Sequence, residues 1–518
     1  MRPVARLATR QWRPTVAAAV GLAVALALAA IAIPRRQHTV TVTEGVSAGA
    51  GGRSEVNGGG SSGAATGAAG AAGAPAGAAA GGASAAAGEG GTGGTAAGGS
   101  ASGSGAGASG SGGSGSAGSA GAVRGVTPTS VRIGVAVLDL SAVKYLGSEY
   151  DPGNVQQQWQ ALLDGWHRQH LVPVNGRDIE FAFQSYSVTS TDEQRSACAG
   201  LIDDKKVFAV IGIEFFYQQG SECVTAEKHT PLLTSEGPAD DVYTRGAPWL
   251  FSLTRSEDSL LRNLVHWADQ QGLLRGKKIG VYHLNDPQET ALVDRSIKGE
   301  LGKLGYHLTA EASTSNALGG PDDALAVQQF RTKGVDLAIL LTSRGGFMQQ
   351  AEAQGYKPTY IDTDYGGGTS DVGTNQYPGH QFDGTRAMTT VRRGEPAAGI
   401  PPSPDMEPCV RNYERYSGRH VARPGSTGHE AAEWVFIVLS CDEGKVLLQA
   451  LQTAGPNLTP ASLVHGLESI HGVSLIRYPD VTFGPGRHQG VTQQRTLQWH
   501  ASCTCWRATG QFQGLFVP

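Results

Sequence analysis

The chain has 518 residues, 41 Lys and Arg against 45 Asp and Glu, and a formal net charge of -4. That length exceeds what one core holds, and so mild a charge gives no case for a nucleic acid as partner. Six cysteines are too few for a disulfide scaffold and too scattered for a zinc ribbon.

Arg2, Arg6, Arg10 and Arg13 precede an uncharged Ala/Val/Leu/Ile run, Thr15–Ile33, and Arg35, Arg36 and His38 follow it. At about 1.5 Å per residue the run reaches about 28 Å, enough to span a bilayer. The Arg excess on its N-terminal side puts residues 1–14 in the cytoplasm. The competing reading is a cleaved secretory signal, with Ala30-Ile31-Ala32 as a small-x-small site. Pro34 and the Arg pair sit badly after a cleavage site and favour an uncleaved single-pass anchor. Either way, everything after residue 40 is exported. No Cys follows the run, so a bacterial lipid anchor is ruled out. Residues 46–122 are almost entirely Gly, Ala and Ser, without an aromatic residue. Such a stretch buries too little apolar surface to offset chain entropy, and the expectation is a disordered linker. As a Gly-rich coil it spans roughly 50 Å and tethers a domain off the membrane.

The folded part then alternates in kind. VRIGVAVL (131–138) reads as a buried strand, and Val155, Trp159, Leu162, Leu163 and Trp166 mark a helix over 154–170. IEFAF (179–183) alternates as a strand does. VFAVIG, a crossover helix and TPLLTS follow within 207–236, a strand–helix–strand unit of the kind that builds parallel sheets. In such sheets ligands lie outside the carboxyl ends of the strands. Residues 249–254 read as a short strand or a crossing, with Thr254 and Glu257 as a capping box for the helix that ends at Gly272. The pattern then restarts, with strands at 278–282, 306–310, 335–341 and 359–362 and helices between them. In the tail, 385–391 reads as a strand returning to the first unit, 405–417 and 426–454 as helices, and 481–483 with 494–499 as a hairpin with a wide turn.

This order resembles the type I periplasmic solute-binding proteins, in the leucine/isoleucine/valine-binding branch of ABC importer receptors. The residues that carry the likeness are VRIGVAVLDLS, Asn175-Gly176-Arg177-Asp178-Ile179, LIDDKKVFAVIG, TPLLTSEG, KKIGVYHLND, VDLAILL and VTFGPGRHQG, in the family's order over about 128–518. The resemblance implies an α/β fold of two Rossmann-like lobes, a Venus flytrap, joined by three crossing segments. Those crossings fall near 250–253, 382–385 and 477–481, with lobe one over 128–250 and 386–478 and lobe two over 251–384 and 480–518. It implies hinge closure on a small-molecule ligand, an ABC permease or other membrane partner, no cofactor and no enzymatic activity.

Site positions follow through the matching motifs. Glu214, Phe215 and Tyr217 fill the loop where the family has a Ser/Thr-rich carboxylate cradle, and Ser235 and Glu236 the place of small residues that hold an amino acid backbone. Asn285 and Asp286 fill a third loop, Ser343 and Arg344 the pocket rim, and Asp364 with Tyr365 the place of the acidic group for a ligand ammonium. Acidic and aromatic residues in these places suit a cationic or polyhydroxylated ligand better than a leucine-like one. The family also implies a Cys198–Cys223 disulfide, which leaves Cys409 with Cys441. Cys503 and Cys505 then form a C-x-C disulfide or, with His500, part of a metal site. His429-Glu430-Ala-Ala-Glu433 lacks the second His of a zincin, and no nucleophile elbow or Walker loop is present. A sensing module with the same fold and no transporter is the second reading, and an exported enzyme on this scaffold the third.

Overall fold

A parallel strand with helices on both faces buries every side chain, so runs such as AVIG and LAIL are apolar without alternation. In the computed structural model these runs are inner strands of two sheets. The structure describes residues 122–517 apart from 140–150, 188–190, 213–218, 318, 375–376 and 425–429. The run Thr15–Ile33, nearly all of the 46–122 stretch, and Glu214, Phe215 and Tyr217 therefore lie outside the described residues. No helix among the described residues is long and apolar enough to cross a membrane.

The first sheet is parallel throughout, in the order β2-β1-β3-β4-β5. Its strands are β1 (Ser130–Asp139), β2 (Asp178–Ser187), β3 (Ala209–Gly212), β4 (Leu232–Thr234) and β5 (Leu250–Ser252). The second sheet repeats that winding with β6 (Ile279–Leu284), β7 (Leu308–Thr314), β8 (Leu337–Leu340), β9 (Thr359–Thr363) and β10 (Arg386–Thr389), parallel in the order β7-β6-β8-β9-β10. Three antiparallel strands extend it: β11 (Gln493–His500) on β10, then β12 (Cys505–Ala508) and β13 (Gln513–Gly514), both on β11. Each sheet has its own core. Trp159, Phe436 and Leu463, from helices Val155–Arg168, Ala432–Ala454 and Pro460–Glu468, pack with sheet one. The helix Glu257–Gln270 covers one face of sheet two, and Pro321–Lys333 with Arg344–Ala353 covers the other. Trp159, Trp267, Trp499 and Trp506 are all at most 1 % exposed, and each removes roughly 150–250 Å² from water.

Five expectations change. The strand at 386–389 does not return to the first unit: it adds to the second sheet, with Arg386 beside Ile361 of β9. Ala387 and Met388 are buried on opposite faces of that sheet, so the apolar pattern announced a strand without giving its address. The second crossing accordingly follows β10, at 390–395, because Val391 already packs in the lobe-one core. The hairpin at 481–491 is closed by Val481 opposite Val491 and turned at Gly484–Arg487. It stays in lobe one, where Val481, Phe483 and Val491 are fully buried. Residues 494–499 are not its second arm but part of β11, and the third crossing falls at 491–493. Finally, Ser256 rather than Thr254 caps the helix Glu257–Gln270, by accepting the Ser259 N–H at 3.1 Å.

All six cysteines are paired: Cys198 with Cys223, Cys409 with Cys441, and Cys503 with Cys505. The last pair closes the metal alternative for that turn, and no group of metal-ligating side chains occurs among the described residues.

Candidate functional site

In both sheets the winding reverses beside the first strand, between β1 and β3 and between β6 and β8. The crevice of a doubly wound sheet opens outside the carboxyl ends at such a point. In lobe one, the loops after β1 and β3 are outside the described residues, and the loop after β4 carries Ser235, Glu236 and Gly237. The Thr234 hydroxyl accepts the Glu236 N–H at 3.0 Å, and the Gly237 carbonyl accepts the Glu257 N–H at 3.0 Å. The loop is thus tied to the start of lobe two's first helix. It lies so close to the first crossing that a Cβ on Gly237 would sit 1.7 Å from the Arg255 carbonyl oxygen.

Beneath this loop lies the helix Ala432–Ala454, which places two adjacent acids in an apolar setting. Asp442 accepts the N–H groups of Ile476 at 2.7 Å and Arg477 at 2.8 Å, and burial still pushes it up to about 7. Glu443 is 0 % exposed, and neither of its oxygens has a hydrogen-bond partner. Burial raises it well above the usual carboxylate range; Ser235 opposes the shift, and Asp442 and Glu236 reinforce it. The Ser235 hydroxyl and N–H both stand near enough to favour the ionised carboxyl, but no short, well-aligned bond joins the two side chains. Tyr478, 3 % exposed, lies beside the same acids.

In lobe two, several of the expected residues prove to be committed within the fold. Asp286 caps the helix that begins at Pro287, accepting the Gln288 and Glu289 N–H groups at 2.8 and 2.9 Å. Asn285 is exposed and donates its N–H to Thr314. The Ser343 hydroxyl donates to Asp323 at 2.8 Å, an acid that also takes the Tyr282 hydroxyl at 2.6 Å. Arg344, 6 % exposed, places Nε 3.1 Å from Asp362 and donates to the Tyr365 carbonyl at 2.8 Å. Asp364 accepts four bonds, from the hydroxyls of Thr369, Thr389 and Thr390 and the Thr390 N–H, at 2.5 to 2.8 Å. It therefore pins the end of β10 to the loop after β9. Ser235, Glu236, Asn285, Asp286 and Tyr365 lie at the strand ends that face the crevice; Ser343, Arg344 and Asp364 are engaged inside lobe two.

Two acids that sequence reasoning passed over stand at the lobe-two edge. Glu257 is pushed up to about 8, first by burial and then by Asp258 and Glu289, against Arg295. Glu289 is raised by burial and Asp286, against His283, the Leu284 backbone and Tyr365, and its Oε1 has no partner. Glu257 reads in sequence as half of a capping box, and Glu289 carries no motif. Glu443 carried a clearer signal: Asp-Glu in the middle of an apolar helix is costly to bury without a function or partner.

The second crossing is held by ions. Glu430, 3 % exposed, takes Arg477 at 3.0 Å and approaches Arg393 at 3.6 Å. Its N–H donates to Asp371 of lobe two at 3.3 Å. Burial and the neighbouring Glu430 push Asp371 up to about 7. Alongside, Glu395 pairs with Arg495 at 2.8 Å and Arg392 at 3.4 Å. Glu430 thus supplies a hinge carboxylate just ahead of the helix whose first turn holds Glu433.

Two doubly wound lobes with three chain crossings and a crevice between their strand ends define a two-lobed binding fold of the periplasmic type. The chain matches the family of periplasmic binding proteins over residues 172–504 and belongs to it, in the type I, leucine/isoleucine/valine-binding-like branch. Among solved structures it is similar to a periplasmic binding protein type 1 from Bordetella pertussis, with a TM-score of 0.57, 15% identity, and coverage of 74% of this chain and 100% of that one. A leucine binding protein from Thermotoga maritima gives 0.55, 15%, 73% and 98%. A solute binding protein of an ABC transporter from Rhodopseudomonas palustris, in complex with 3,4-dihydroxybenzoic acid, gives 0.54, 16%, 75% and 99%. No curated protein sequence matches the chain at a significant level.

Proposed function

We propose that the chain is an extracytoplasmic solute-binding protein that takes a small polar ligand into the interlobe crevice, closes by rotation about the three crossings, and presents it to an ABC permease. The observation that supports this most directly is the pairing of two alike-wound parallel sheets with buried polar atoms lacking partners near their carboxyl ends, Ser235 Oγ and the Glu443 oxygens in one lobe and Glu289 Oε1 in the other. Short crossings supply the few loop residues in which hinge closure is absorbed. Family members bind solutes rather than transform them, and no enzymatic step is proposed. The N-terminal apolar run would hold the domain to the membrane as a single-pass anchor with its C-terminal part outside. That anchor, with the Gly/Ala/Ser stretch behind it, also favours a second reading, a ligand-sensing module for another membrane partner. A thermal-shift panel of amino acids, polyamines, sugars, nucleosides and aromatic acids tests binding. A ligand at 100 times its Kd adds about 2.7 kcal/mol to folding. A folded chain silent to the whole panel would sink the proposal; uptake assays in cells with and without the chain then separate transport from sensing.

A further inference from the structure

We infer that the ligand is a linear organic dication, an α,ω-diamine or polyamine, with one ammonium over Glu443 and Ser235 in lobe one and the other at Glu257 and Glu289 in lobe two. This rests on the solute-binding reading and specifies its ligand. An alkylammonium carries three donors and no acceptor. Glu443 offers two unpartnered oxygens and Ser235 a third, on side chains 0 % and 8 % exposed. These are three buried acceptors at the carboxyl end of β4, with Tyr478 as an apolar wall. A buried carboxyl without a partner is costly in an empty fold, and a cation is what repays that cost.

Charge accounting points the same way. The neighbouring cations are already engaged: Arg295 with Asp258 at 3.0 Å, Arg262 with Asp240 at 2.9 Å, Arg344 with Asp362 and Arg477 with Glu430, while His283, which faces Glu289, lies 3.2 Å from Glu311. Arg255 donates to Ser259 at 3.0 Å and faces Tyr243 and Asp240. None offsets Glu443, whose neighbours are Ser235, Asp442, Glu236 and Tyr478. Glu257 faces Asp258, Glu289 and Asp241, with Arg295 as its one positive neighbour. Carboxyls therefore outnumber uncommitted cations on each lobe, and in a low-dielectric crevice an arriving cation gains strongly from the carboxylates it ionises. A monovalent amine answers one wall only; a diamine answers both and ties the lobes together on closure.

Protonation supplies the signature. Glu257, at about 8, holds its proton at neutral pH, and burial shifts Glu443 in the same direction. An ammonium favours the ionised carboxylates, so its binding expels protons. Affinity then rises with pH between 6 and 8, by up to about tenfold per unit for each proton released. A neutral polyol would use the protonated carboxyls as they stand and expel none.

The test is calorimetric titration of the whole chain in mild detergent with putrescine, cadaverine and spermidine. Butylamine, leucine, glucose and 3,4-dihydroxybenzoate serve as comparisons, each in phosphate and in Tris. The expected result is diamine binding well above butylamine, with proton release visible as a buffer-dependent enthalpy. Glu443→Gln keeps the size and the neutral state of the empty-site carboxyl, so it folds as before. It should weaken putrescine by about thirtyfold or more and lower the proton count. Glu289→Gln should weaken putrescine from the other lobe while leaving butylamine at Glu443 unchanged. Binding of leucine, glucose or the benzoate with no diamine binding overturns the inference and leaves the solute-binding reading standing. Diamine binding unchanged in both variants also overturns it. A folded chain that binds none of these probes overturns both.

Discussion

Gly237 is where the loop after β4 meets the first crossing, and Gly237→Ala should be among the costlier single-methyl additions in the molecule. The new Cβ would lie 1.7 Å from the Arg255 carbonyl oxygen and 2.7 Å from its carbon. Both obstacles are backbone, so no side chain can swing aside; the two segments must separate by more than about 1 Å to reach ordinary contact. Overpacking of this kind costs about 1–3 kcal/mol. Separation also breaks the Glu257 N–H bond to the Gly237 carbonyl, about 1 kcal/mol more. Gly176→Ala is the control: its φ of +79° strains any side chain, yet nothing lies within 4 Å, so it should cost about 1–2 kcal/mol through conformation alone. Urea unfolding midpoints of the two variants, compared at a common slope, decide the matter. If Gly237→Ala loses no more than Gly176→Ala, the close approach between the loop and the crossing is not what holds this corner of the crevice.

Three further outcomes follow from the geometry. Asp364→Ala should lower stability by about 3 kcal/mol or more, since Thr389 and Thr390, both 0 % exposed, lose their acceptor; an unchanged unfolding midpoint would return Asp364 to the ligand. Gly302→Ala, within the helical stretch Gly299–Lys303 and with open space around its Cβ, should gain about 0.5–1 kcal/mol in the same assay; a loss would mean the helix is not what limits that site. Asp371 and Asp442 sit near 7 in the folded chain against about 4 when unfolded. The folded state therefore holds extra protons across that window, and stability should fall as pH rises from 5 to 8. Asp442→Asn should flatten the trend, and a midpoint that climbs over that range in the parent chain would contradict the assignment.

The sheets were legible because their inner strands are apolar on both faces and their helices end in glycine; Gly334, for instance, takes the left-handed conformation after the helix Pro321–Lys333. What could not be read was where strands go. β10 and the 481–491 hairpin have patterns that suit either lobe, since a strand buried on both faces carries no mark of its neighbours. The site was legible as loops and not as chemistry. Asp364 and Arg344 look like ligand residues in one dimension, but partners 18 to 26 positions away consume them. Glu443 sits on a helix far along the chain from the Ser235 loop it faces, and only the fold brings the two together.

The late arrival of β11 bears on how the molecule is made. Lobe two's sheet is open along β10 until residues 493–500 join it, and the whole of 390–492 is laid down in the interval, mostly in lobe one. Emerging from a ribosome or a translocation channel, the chain carries an unpaired strand edge through that period, the kind of edge that recruits strands from other chains. A holding chaperone, or rapid completion of synthesis, would protect it. The same interleaving means that neither lobe can be excised or exchanged as a block: a chimera of two such receptors needs three matched junctions, at the crossings, to fold at all.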